Sequence, residues 1–245
     1  MVRYDVYSAS NSIGHGHSEN QDSYLADLST QIFAVADGVG GYQGGKEASE
    51  QAMAALRNKA GEIQNEFSMK SCLEEIHEQL LHTAKSLNQT NMGTTIAVAK
   101  VFPDFSTGLG GKVVTANAGD SPILLFPANA NDGIDSDSYR RVFIDDSFRD
   151  KSPSAMWGVI QYLGIETREL EVHTTSFDFQ PGDIILICSD GVSDNLLGDR
   201  VYSQRRGVGD ISELVRRYGS AQKLVEEALH AGIKPDDMTA LLVFL

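Results

Sequence analysis

Cysteine is scarce in this sequence of 245 residues, which contains only Cys72 and Cys188. The two lie far apart and form no C-x-x-C pair, so a disulfide framework is not indicated and a reducing compartment is expected. Cys72 falls on the apolar face of a predicted helix, and Cys188 lies inside an apolar segment of strand length. We therefore expect both thiols to be core residues and not nucleophiles.

Long apolar runs and basic residues are also few. The longest apolar runs, at 184–188 and 240–245, are far too short to span a membrane. Twenty Lys and Arg residues face 34 Asp and Glu residues, and the net charge of −14 disfavours nucleic acid and anionic membrane surfaces as partners. The first residues contain no apolar segment typical of a signal peptide. We expect a cytoplasmic, soluble monomer.

A hydrophobic content of 41% is enough for one large core, and we expect a single domain over residues 1–245. Apolar residues at helical spacing predict helices over 48–63, 69–87, 211–218 and 221–231, the last ended by Gly232. Predicted strands cover 3–10, 22–28, 31–36, 94–102, 112–117, 122–126, 139–144, 167–177, 183–189 and 238–245. This order favours sheets packed together with helices outside them.

Acidic motifs recur at the ends of these strands. An aspartate at one strand end is ordinarily a turn cap, but five such motifs on apolar strands favour a shared site. The motifs are Asn20-Gln21-Asp22, Asp37-Gly38, Gly119-Asp120-Ser121, Ser189-Asp190-Gly191 (with Asp194 close behind) and Pro235-Asp236-Asp237-Met238-Thr239.

Converging carboxylates would repel one another unless a cation joined them. Because the motifs contain no His or Cys, Mg²⁺ or Mn²⁺ is favoured over Zn²⁺. Two such ions could bind phosphate oxygens and activate a water molecule. The sequence shows neither a P-loop nor a Ser-His-Asp pattern, and direct attack by water needs neither.

In order and spacing, these motifs resemble the metal-dependent protein serine/threonine phosphatases of the type 2C family. The resemblance spans nearly the whole chain and includes Gly93-Thr94-Thr95 and Leu163-Gly164, while Val39 places the chain with the bacterial members. It implies an α+β fold in which a central antiparallel β-sandwich is flanked by helix pairs, in α-β-β-α layers. It also implies hydrolysis of phosphoserine and phosphothreonine by a metal-bridging hydroxide, in opposition to a serine/threonine kinase.

The resemblance further implies a role for each acidic residue. Asp37 would bridge two Mn²⁺ or Mg²⁺ ions, and the Gly38 carbonyl would bind one of them. Asp22 would act mainly through metal-bound water. The remaining implied metal ligands are Asp190 and Asp236 for the second ion, and Asp120 and Asp194, possibly with Asp190, for a possible third ion.

The chain departs from the family pattern around the phosphate. His17 stands where an Arg usually grips the phosphate, and an imidazole cannot replace the permanent charge of a guanidinium. We expect His17 to orient the phosphate more weakly, unless another cation contributes. Asp237 replaces the usual Asn, Pro122 replaces an Arg, and the flap over 145–157 is short. The arginines that could contribute are Arg140, Arg141, Arg149 and Arg168.

Two other functions are compatible with parts of the sequence. A catalytically weak or inactive phosphoprotein-binding domain would account for His17 and the altered flap, but it gives no reason to keep clustered carboxylates. A calcium-stabilised adhesive sandwich predicts an export signal, which the sequence does not show. We therefore expect a metal-dependent phosphatase.

Overall fold

The computed structural model describes residues 2–10, 19–39, 43–89, 92–104, 106, 110–128, 140–143, 159, 161–166, 169–197 and 211–245. His17, Arg149, Arg168 and the flap over 145–157 lie outside the described residues, as does nearly all of the predicted loop at 128–137. Within the described part of the chain, no helix is both long enough and apolar enough to cross a membrane.

Two five-stranded antiparallel sheets form the centre of the fold. In spatial order, the first sheet consists of β1 (Arg3–Ser10), β12 (Asp237–Phe244), β11 (Ile184–Cys188), β8 (Ile123–Phe126) and β9 (Arg140–Phe143). The second consists of β10 (His173–Phe179), β7 (Gly111–Ala118), β6 (Ile96–Pro103), β3 (Ile32–Ala36) and β2 (Ser23–Asp27). A two-stranded ribbon joins β4 (Gly38–Val39) to β5 (Gly93–Thr94).

Helices cover the outer faces of both sheets. The helix pair α1 (Gln43–Lys59) and α2 (Glu66–Leu87) packs on the second sheet. The first sheet is covered by α3 (Asp190–Leu197), α4 (Ile211–Tyr218) and α5 (Ala221–Ala231). The order of layers is therefore helix, sheet, sheet, helix, which confirms the predicted α+β sandwich.

The apolar strands alternate between two buried environments. In β3, Phe33 and Val35 point into the core between the sheets, while Ala34 packs toward α1 and α2. In β11, Ile187 faces the same inter-sheet core, while Leu186 faces α3 to α5. Because both faces of each strand are covered, these strands are apolar along their whole length and not only at every second residue.

Most predicted elements are confirmed, with three differences. The strand predicted at 94–102 is observed as β5 and β6, which are separated at Thr95. The strand predicted at 167–177 is observed as β10, which begins at His173. Helix α3 was not predicted, because it is only eight residues long and Gly191 lowers its helix propensity. Gly232 ends α5 in the left-handed conformation, as predicted (φ 58°). Cys72 and Cys188 are both buried core residues, also as predicted.

Candidate metal centre

Four aspartates from the two sheets meet at one end of the sandwich. In the second sheet, Asp22 precedes β2 and Asp37 follows β3; in the first sheet, Asp190 follows β11 and Asp236 precedes β12. The strands within each pair are antiparallel neighbours, so the end of one lies beside the start of the other. The candidate metal centre is defined by these four residues.

The carboxylates of the candidate metal centre act on one another electrostatically. Burial, with smaller contributions from the charges of Asp237 and Asp236, raises the pKa of Asp22 to about 8, although hydrogen bonds with Thr239 and Ser189 oppose the shift. Burial also raises the pKa of Asp37 well above its ordinary value, with added repulsion from Asp22, Asp190 and Asp236. Burial and then Asp190 raise the pKa of Asp236. Such an accumulation of negative charge calls for a cation.

Ser189 connects the two halves of the candidate metal centre. Its hydroxyl donates to Asp22 Oδ2 at 2.8 Å and accepts the backbone N–H of Thr239 at 2.9 Å. Nearby, Asp237 Oδ2 accepts the backbone N–H of Gln21 at 2.7 Å. The acid that replaces the family's Asn therefore holds the segment that leads into Asp22.

The backbone of Asp37 is held on both sides by two threonines. Its N–H donates to Thr95 Oγ1 (3.0 Å), while its carbonyl accepts the Thr95 N–H (2.8 Å) and the Thr94 hydroxyl (2.9 Å). Thr95 Oγ1 also shares a 2.7 Å hydrogen bond with Ser121 Oγ, beside Asp120. Thr94 and Thr95 therefore position the backbone of Asp37.

Close backbone contacts require glycine at two positions. A Cβ on Gly38 would lie 2.6 Å from the carbonyl of Gly45 at the start of α1. A Cβ on Gly191 would lie 2.1 Å from the carbonyl oxygen of Asp237. The glycines after Asp37 and Asp190 thus allow α1 and β12 to pack against the metal centre.

Lys234 lies among the carboxylates and was not singled out in the sequence. It is only 3% exposed. Its ammonium bonds to Asp190 Oδ2, lies 2.8 Å from Asp236 Oδ2 and lies 3.6 Å from Asp194 Oδ2. Burial opposes its charge, but these aspartates, together with Asp120, hold its pKa well above the ordinary value. Lys234 is therefore a buried cation inside the acidic cluster.

The carboxylate oxygens are suitable ligands for a hard divalent cation, but they do not form a complete coordination sphere. Asp22 Oδ1 is buried and accepts no hydrogen bond from the described part of the chain. Mg²⁺ and Mn²⁺ prefer oxygen ligands, and carboxylate oxygens such as this one can bind them. Among the described residues, however, no three His, Cys, Asp or Glu side chains are arranged as ligands of one metal ion. The Lys234 ammonium occupies part of the space between them.

The structure brings together most of the predicted site residues. Asp22, Asp37, Asp190 and Asp236 form the candidate metal centre, and Asp194 and Asp120 approach it through Lys234. Gly38 is adjacent in the short ribbon, and its role as a ligand stays a prediction. His17 lies outside the described residues. Sequence reasoning missed Lys234, although it stands only two residues before Asp236, and also Asn195, whose partners lie in the loop after α5.

Comparison with known proteins gives the family. The model of the family Stage II sporulation protein E (SpoIIE) matches residues 29–244. The chain belongs to this family. Among full sequences, the serine/threonine phosphatase stp of Listeria welshimeri is 27% identical over 194 residues, which cover 72% of this chain and 73% of that protein. The predicted resemblance to bacterial type 2C phosphatases is confirmed.

Solved structures agree on the fold of this SpoIIE-family chain. The serine/threonine phosphatase PstP/Ppp of Mycobacterium tuberculosis superposes with a TM-score of 0.73 at 23% identity, covering 100% of this chain and 98% of that one. The catalytic domain of PstP in complex with 2 manganese ions gives a TM-score of 0.68 at 22% identity, covering 99% and 97%. At these identities the likeness shows the shared fold.

Proposed function

We propose that this chain is a metal-dependent phosphatase that hydrolyses phosphoserine and phosphothreonine in proteins. The observation that carries the proposal is the convergence of Asp22, Asp37, Asp190 and Asp236 where the two sheets meet. Membership of the SpoIIE family and the phosphatase relatives support it over an inactive binding domain. The manganese in the PstP structure supports Mn²⁺ or Mg²⁺ as the cofactor.

The residues divide the work as follows. Asp37, whose backbone is held by the two threonines, would bridge the ions, and Gly38 would add its carbonyl. Asp190 and Asp236 would contribute the carboxylate oxygens that Lys234 does not contact. Asp22, whose carboxylate is oriented by Ser189, would act mainly through metal-bound water. When bound, divalent ions supply an activated water and neutralise the charge of the phosphate.

Other parts of the proposal rest on the sequence. His17 is proposed to orient the phosphate, and a lower KM for His17→Arg would support this role. Asp120 and Asp194 are proposed as contributors to the acidic cluster. A single domain over 1–245, a monomeric state, a cytoplasmic location and an opposing kinase stay predictions.

The experiment measures hydrolysis of a phosphothreonine peptide by purified protein with and without Mn²⁺. We expect activity only with Mn²⁺, and a loss of more than about 100-fold in Asp37→Asn, because that substitution removes the proposed bridging carboxylate. Asp178→Asn, at an exposed position of β10, is the matched control and should retain full activity. Equal rates for native protein and Asp37→Asn would overturn the proposed function.

A further inference from the structure

The ammonium of Lys234 lies among three carboxylate oxygens, two of them within hydrogen-bonding distance and the third within ion-pair distance. A lysine ammonium has three N–H donors and no acceptor. Three oxygens surround it: Asp190 Oδ2 in direct contact, Asp236 Oδ2 at 2.8 Å and Asp194 Oδ2 at 3.6 Å. A buried charge is tolerated only when it is paired in this manner. The Lys234 side chain is therefore a specific part of the cluster and not a solvent-facing lysine.

The backbone of Lys234 is fixed from helix α3, which also carries two of these carboxylates. Asn195 Oδ1 accepts the N–H groups of Ile233 (2.6 Å) and Lys234 (2.9 Å), and Asn195 Nδ2 donates to the Lys234 carbonyl (2.9 Å). Asn195 is itself fully buried. Helix α3 therefore provides both the carboxylates that contact the ammonium and the Asn195 side chain that fixes the Lys234 backbone.

A metal ion cannot share this position with the ammonium. Mg²⁺ lies about 2.0–2.1 Å from its oxygen ligands, and Lys234 already contacts the Oδ2 atoms that such an ion would bind. Two cations around the same oxygens would also repel each other. The Lys234 charge also acts on Asp37, but it ranks behind burial and the charges of Asp22, Asp190 and Asp236 among the effects on the pKa of that carboxyl. The side of the candidate metal centre formed by Asp22 and Asp37 therefore keeps an excess of negative charge that divalent ions can bind.

We propose that Lys234 is a built-in cation that replaces one divalent metal ion on the side of the cluster formed by Asp190, Asp194 and Asp236. The inference rests on the proposed function, because it assumes that the remaining carboxylates bind metal. The chain then holds one divalent ion fewer than its carboxylates alone would hold. Removing the ammonium should restore that binding position.

The test counts bound Mn²⁺ per chain by electron paramagnetic resonance of the free ion at saturating concentration. We expect Lys234→Met to bind one Mn²⁺ more than the native protein. Lys223→Met removes the same charge from an exposed position on α5 and should bind the native number. Equal numbers in native protein and Lys234→Met would overturn the inference, because the ammonium would then simply move aside for the metal.

Two further measurements keep this result distinct from the proposed function and from misfolding. Native protein that binds no Mn²⁺ at all would overturn the proposed function, whereas equal non-zero numbers overturn only the role of Lys234. If Lys234→Met does not fold, Lys234→Ala provides the same count, because it removes the charge and leaves the position beside Asp190 and Asp236 open. An added Mn²⁺ in Lys234→Ala supports the inference, and an unchanged number overturns it.

Discussion

His77 links helix α2 to the segment 161–166 by a hydrogen bond. Its Nδ1 accepts the backbone N–H of Gly164 at 3.0 Å. The neighbouring Leu163 exchanges two backbone hydrogen bonds with Thr94, which in turn donates to the carbonyl of Asp37. A side chain on the outer layer is therefore linked through three contacts to the candidate metal centre.

The buried imidazole of His77 predicts a loss of stability in acid. Burial lowers the pKa of His77 below its ordinary value of 6.5, although Glu78 partly opposes this. Below pH 6.5, His77 takes up a proton more readily in the unfolded chain than in the folded chain. Its contribution to the free energy of unfolding is complete above that pH and is lost as the pH falls toward the folded pKa. Each pH unit in that window costs at most about 1.4 kcal/mol of the free energy of unfolding.

Urea unfolding between pH 7 and pH 5 measures this loss. Because the raised pKa values of Asp22 and Asp37 act in the opposite direction, the test compares the two proteins: between pH 7 and pH 5, the free energy of unfolding should fall less or rise more in His77→Asn than in the native protein, because Asn can accept the Gly164 N–H without titrating. The exposed His82 lies on the same helix, and His82→Asn should leave the native pH dependence unchanged. A pH dependence in His77→Asn equal to that of the native protein would show that His77 does not contribute to it.

Helix α3 shows how two elements form the metal centre together. It begins with Asp190, carries Asp194 one turn later on the same face, and packs against β12 so closely that Gly191 admits no side chain. The helix and the strand therefore fix the distance between Asp190 and Asp236. A change at this contact should affect metal binding as well as folding.

Gly191→Ala tests this contact. Because its Cβ would lie 2.1 Å from the Asp237 carbonyl oxygen, we expect a loss of about 1–3 kcal/mol in the free energy of unfolding, together with weaker Mn²⁺ binding. Gly61→Ala is the control, since nothing lies within 4 Å of its added methyl group. Calorimetric titration with Mn²⁺ and urea unfolding measure the two effects. Native-like values in Gly191→Ala would mean that the contact can relax.

The elements that the sequence predicted, and those it did not, differ in physical origin. Continuous apolar runs predicted β3 and β11, and apolar residues at helical spacing predicted α2, because burial determines both patterns. Helix α3 is too short to show a period, and it is stabilised by packing against α5 and β12. Lys234 could not be predicted as a buried ion, because a lysine beside a turn is ordinarily solvated and its partners come from distant segments.

At the scale of the whole molecule, the sandwich places acidic residues from the first and the last parts of the chain at the same point. Asp22 and Asp236 lie at opposite ends of the sequence, and they meet because β12 pairs between β1 and β11 in the first sheet, which packs on β2 and β3. The four motifs could be recognised in sequence because each lies immediately before or after a strand. Their mutual distances depend on the packing of the two sheets.

This position between the sheets has a kinetic consequence. A divalent ion can be gripped from both sides only after the two sheets have docked, so it stabilises the native state and not the folding transition state. For every 1.4 kcal/mol that Mn²⁺ binding adds to the free energy of unfolding, the unfolding rate should therefore fall about tenfold. The refolding rate should stay unchanged. Stopped-flow measurements with and without Mn²⁺ would separate the two rates. Faster refolding would mean that the ion is already bound in the folding transition state and that the sheets assemble around it.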